Sequence, residues 1–111
     1  MNLAIKSYMD YLLNEKNYSP RTVDSSKYDL EKFFSFLADE GYLMNEVDVL
    51  VIRNFLTDEL TNGISKRSCK RRLSTLRHFY DYMVKTKQVE ENPFIFIDSP
   101  KIEKKFNISD K

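Results

Sequence analysis

Apolar residues recur at helical spacing through most of the chain, and four amphipathic segments account for them. In residues 2 to 15, Ile5, Tyr8, Met9 and Leu12 fall on one face, with Lys6, Asp10 and Asn14 among the polar positions. Ser19-Pro20 then signals a second helix: a serine caps the free amides, and a proline in the first helical position gives up no needed hydrogen bond. This helix runs to about Asp39. It buries Val23, Leu30, Phe34 and Leu37, with Phe33 and Phe36 widening the arc, and Gly41 stops it. Asp48 caps a third helix from about Val49 to Leu60, whose apolar face is Val49, Ile52, Leu56 and Leu60 with Phe55 to one side. After the Asn62-Gly63 turn, Ser65 caps a fourth helix ending near Lys85 or Thr86.

The fourth helix has two unlike faces. At about 100° per residue, Cys69, Leu73, Leu76, Tyr80 and Met83 share a sector edged by Phe79 and Val84. Across from them lie Arg67, Lys70, Arg71, Ser74, His78 and Asp81, flanked by Lys66 and Arg77. Six Lys or Arg and no acid occur between Lys66 and Arg77, so this half of the helix is suited to a polyanion. On the second helix, Arg21, Ser25, Tyr28 and Lys32 form a polar or amphipathic stripe away from the core. Beyond the fourth helix, KQVEEN predicts a turn or bend before Pro93. Phe94, Ile95, Phe96 and Ile97 are too few for an independent strand and cover the open end of the bundle. SPKIEKKFNISDK reads as a linker.

A chain of 111 residues is one domain by length, and its formal net charge of +1 carries little information. The distribution carries more. From 29 to 62 there are eight acids, Asp29, Glu31, Asp39, Glu40, Glu46, Asp48, Asp58 and Glu59, against Lys32 and Arg53 alone, on faces expected to be solvated. The third helix is therefore expected to be an acidic back wall separating the second and fourth. One cysteine on an apolar face argues for packing in a reducing compartment. With no long apolar run or signal-type start, a soluble, cytoplasmic protein that engages no membrane is expected.

Enzyme chemistry has little to work with. The single His78 and single Cys69 lie on nearly opposite faces of one helix, metal-ligand spacing is absent, and two glycines cannot build a phosphate loop. Neither a catalytic residue, a metal nor a cofactor is expected in this chain. Two readings remain: a nucleic-acid-binding module, and a helical protein-interaction module for an acidic partner.

Three runs favour the first and leave the second as the alternative: YSPRTVDSSKYDLEKFFSFLADEGY at 18 to 42, SKRSCKRRLSTLRHFYDYMVKTKQVEENP at 65 to 93, and SPK at 99 to 101. In order and spacing they resemble the N-terminal core-binding, or SAM-like, domain of tyrosine recombinases, the phage integrase family with its Xer-like members. Ser19, Thr22, Leu30 and Phe33 match the family's first run. Ser65, Ser68, Arg72, Leu73, Leu76, Arg77, Phe79, Tyr80 and Asn92-Pro93 match its second. Where many relatives have a tyrosine four residues after the helix-opening threonine, this chain has Ser26, and Tyr28 stands two positions on.

The resemblance implies an all-α, compact four-helix orthogonal bundle over 1–98, with a short C-terminal turn, and a linker over 99–111 toward a C-terminal catalytic domain. That domain would carry the arginine, lysine, histidine and tyrosine nucleophile of strand exchange. The second and fourth helices would face duplex DNA, through Arg21, Thr22, Ser25, Ser26, Lys27, Lys66, Arg67, Lys70, Arg71, Ser74, Arg77 and His78. It further implies other recombinase subunits as partners of the full-length protein in a synaptic complex, with this fragment alone monomeric.

Overall fold

A computed structural model describes residues 3–97. It is all-α: α1 (Leu3–Asn14), α2 (Pro20–Glu40), α3 (Val49–Thr61) and α4 (Lys66–Lys85), with single 3-10 turns at Met44–Glu46 and Pro93–Phe96. The helix starts follow from side-chain caps. Ser19 Oγ accepts from the Thr22 amide at 3.3 Å, Asp48 Oδ1 from Val51 at 3.0 Å and Ser65 Oγ from Ser68 at 3.1 Å. The expected linker, 99–111, lies outside the described residues.

Phe33 of α2 stands at the centre of the core. Its ring meets Phe55 of α3 at 5.0 Å, Phe94 of the last 3-10 turn at 5.7 Å and Tyr80 of α4 at 6.5 Å. α1 closes one side, with Tyr8 edge-on to Phe79 and Tyr11 against Tyr82. Asn92 ties the final turn back to α4: its amide donates to the Arg77 carbonyl at 2.9 Å and to Asp81 Oδ1 at 2.8 Å. Phe94 and Ile97 are buried beneath that turn, while Ile95 and Phe96 remain exposed.

Three expectations about faces are corrected. On α2, Phe33 rather than Phe34 is fully buried, because this helix packs between several neighbours and its centre line is set by α3 and the Phe94 turn. The buried face of α3 is Val51, Ile52 and Phe55; Leu60 is exposed and Leu56 only partly covered. α3 packs against α4 and the Phe94 turn, and these neighbours cover Val51, Ile52 and Phe55 rather than the Leu56 and Leu60 end of the arc. Nor does α3 separate α2 from α4, which pack directly on each other.

Candidate nucleic-acid interface

The seam between α2 and α4 has a readable register. Ser25 touches Arg71, Asp29 touches Arg71, Arg72 and Thr75, and Phe34 touches Phe79. Positions increase together along both helices, so α2 and α4 run parallel. Their serine-capped N-termini therefore lie at the same end of the seam. Aligned peptide dipoles and unpaired amides make both ends electropositive. Arg21 and Thr22 are exposed in the first turn of α2, Lys66 and Arg67 in the first turn of α4, and Lys70 follows one turn on.

Inside the seam is an ion cluster. The Asp29 carboxylate is completely buried, with Arg71 Nη1 donating to Oδ2 at 2.5 Å, Arg71 Nη2 to Oδ1 at 3.2 Å and Arg72 Nε to Oδ1 at 3.1 Å. The Thr75 hydroxyl adds a donor 3.3 Å from Oδ2. Arg72 Nη1 reaches across to Glu59 of α3. Arg71 also donates from Nη1 to Ser25 Oγ at 3.2 Å, and the Tyr28 ring lies 5.6 Å from the Arg72 guanidinium and 5.5 Å from Lys32 Nζ. Two arginines and two carboxylates thus cancel in formal charge, and each ion pair joins one helix to another.

This arrangement revises the expected surface. Arg72 belongs to the core side of α4, so the basic run contains one cation that no ligand meets first. Arg71 keeps nearly half of its side chain exposed but is gripped by Asp29. Asp29 and Glu59, expected on solvated faces, are the partners that make this possible. Of the anticipated contact residues, Arg21, Thr22, Ser25, Lys66, Arg67, Lys70, Arg71 and His78 are exposed, whereas Ser26, Lys27, Ser74 and Arg77 are half-buried. Among them, Ser25 and Arg71 are joined by a direct bond across the seam. His78 lies apart, lining a recess between α1 and α4 with Tyr8, Tyr18 and Lys85.

A signal for the buried cluster was present in the periodicity. Arg72 stands three residues after Cys69 and four before Leu76, and Asp29 stands four before Phe33, so each charge falls on its helix's apolar arc. Opposite charges on two core faces call for each other, because an unpaired buried charge is costly.

A separate recess, of about 950 Å³, lies beside the C-terminal half of α4. Asp48, Glu90 and Glu91 line it with Lys87, a poor lining for a polyanion. Among the described residues, no helix is long and apolar enough to cross a membrane.

Comparison with known proteins gives this arrangement a family. The model of the phage integrase N-terminal SAM-like domain matches residues 5–87, a span that runs from the first turn of α1 to just past the end of α4. The chain belongs to that family.

Among curated relatives, this SAM-like domain is 37% identical over 106 residues to the tyrosine recombinase XerC of Anoxybacillus flavithermus, covering 95% of the chain and 35% of the relative. It is 41% identical to the XerC of Oceanobacillus iheyensis, covering 94% of the chain and 34% of the relative. Against the XerC of Bacillus subtilis it is 36% identical, covering 91% and 34%. The chain therefore spans about a third of the length of the curated relatives it matches. No solved structure matches it.

Proposed function

We propose that this SAM-like domain grips duplex DNA at a recombination site and positions it for a catalytic domain elsewhere in a longer tyrosine recombinase. The observation that carries the reading is the parallel pairing of α2 and α4. It gathers two capped helix N-termini and the cations Arg21, Lys66, Arg67 and Lys70 at one end of the seam. Helix N-termini and basic side chains together suit the phosphate backbone. Residues 1–98 form the binding unit and 99–111 the connection toward the catalytic domain. Thr22, Ser25, Ser26, Lys27, Arg71, Ser74, Arg77 and His78 complete the contact surface. The chain supplies no catalytic residue and needs no cofactor; strand cleavage belongs to the catalytic domain, and other recombinase subunits join in a synaptic complex. The setting is the cytoplasm.

The test is charge reversal at the exposed end of the seam. Lys66→Glu with Arg67→Glu places acids in the first turn of α4, where the helix dipole favours them, so the fold persists by circular dichroism. Duplex affinity is expected to fall, and the slope of log affinity against log salt to shrink by about 2. Retention of the full affinity and slope by this variant removes the assignment.

A further inference from the structure

We infer that Arg71 is a base-reading residue of this surface, with Asp29 and Ser25 as the positioning residues that aim it. The inference rests on the DNA-gripping role proposed above. A guanidinium has five N–H donors in one plane. Nη1 of Arg71 uses both of its donors, on Asp29 Oδ2 and Ser25 Oγ, and Nη2 uses one, on Asp29 Oδ1. The two that remain, Nε–H and the outer Nη2–H, lie side by side on one edge and have no partner among the described residues. They form a fork for two acceptors spaced as in a guanine O6/N7 pair or two phosphate oxygens.

Charge decides between these ligands. Asp29 is fully buried and bonded on both oxygens, so it stays beside Arg71 and offsets its positive charge. A compensated cation releases few counterions and adds little to sequence-independent attraction. Lys66 and Arg67, exposed and without an ion pair among the described residues, are the groups that supply it. What Arg71 retains is direction: a planar fork already immobilised, losing little further freedom on binding. Directional donors with little net attraction suit a base edge in the major groove.

The experiment selects duplexes from a pool with a randomised central segment, using the chain itself, Arg71→Lys and Asp29→Asn. Salt slopes are measured in parallel on one fixed duplex. The wild-type chain should enrich guanine at one position. Arg71→Lys, which keeps the charge and loses the fork, should flatten that position by roughly tenfold or more in preference while the salt slope moves by less than one unit. Asp29→Asn should flatten the same position yet steepen the salt slope by about 1, because Arg71 is released from its counter-charge. A purely structural role for Asp29 has no reason to raise that slope. Should Asp29→Asn fail to fold, Arg71→Lys, altered at a half-exposed side chain, decides alone. Wild-type binding without base preference, or a preference that survives Arg71→Lys, overturns the inference and leaves the gripping role standing. Absence of any salt-dependent duplex binding by the wild-type chain brings down both.

Discussion

Tyr80 fills the middle of the bundle with its ring against Phe94 at 5.1 Å and its hydroxyl donating to the Met44 carbonyl at 2.9 Å. Burial favours the neutral phenol and pushes its pKa well above the ordinary value of 10.0. Tyr8 is raised in the same sense, chiefly by burial and then by the neighbouring Tyr18, Tyr11 and Asp81. The sign of the linkage follows. Below pH 10 these phenols are protonated both folded and unfolded, and their contribution is fully present. Above it the unfolded chain ionises first and stability falls. Urea midpoints should therefore hold to about pH 8, slip slightly as the unfolded chain's Cys69 thiol ionises, and decline more steeply from about pH 10 upward. Tyr80→Phe should lessen the decline, while costing about 1 kcal/mol at neutral pH by orphaning the Met44 carbonyl. Burial likewise raises the Cys69 thiol, in keeping with the packing role its position on the apolar stripe suggests.

At the level of the helices, three of the four end in the same way. After α2, α3 and α4 a residue with positive φ turns the chain: Gly41 at 81°, Gly63 at 96° and Lys87 at 62°. In each case a following amide reaches back five residues, as with Tyr42 to Leu37, Ile64 to Glu59 and Gln88 to Met83. Glycine takes this conformation without the Cβ clash that a lysine meets. Lys87→Gly should accordingly raise unfolding stability by about 1 kcal/mol in a denaturant titration. Loss of stability there would mean that the lysine side chain contributes more than its backbone strain removes. The glycine-marked ends were legible because glycine announces a positive φ; the end of α4 was placed by the fading of its apolar stripe. The faces of α2 and α3 were less legible, since spacing selects an arc of about 100° and the neighbours select the part of it that is covered.

Across the whole molecule, the Asp29, Arg72 and Glu59 cluster ties α2, α4 and α3 together, and Arg71 extends it to the surface. Such a cluster is poor evidence for net stability, yet removing Arg72 takes one of two arginines from the buried Asp29 and the guanidinium partner from the part-buried Glu59. Arg72→Ala should cost about 3–5 kcal/mol in a urea titration, whereas Arg67→Ala, on the exposed face five residues earlier, should stay within about 0.5 kcal/mol. A loss below about 1 kcal/mol for Arg72→Ala would mean that water or another side chain replaces the missing guanidinium. The contrast divides a run that looks uniform in sequence. Its exposed cations attract, one cation holds the bundle together, and one does part of each.

The sequence by itself determined where the helices begin and end, which residue types line the core, the family, and that positive charge gathers on α4. Caps, periodicity and charge runs are local quantities, written in consecutive residues. Tertiary structure decided that α2 and α4 lie parallel in direct contact, that Phe33 centres the core, and that Asp29 and Glu59 neutralise Arg71 and Arg72. Those facts depend on partners 13 to 61 positions apart in the chain. Whether a charged side chain faces water or a counter-charge is settled only when another helix arrives beside it.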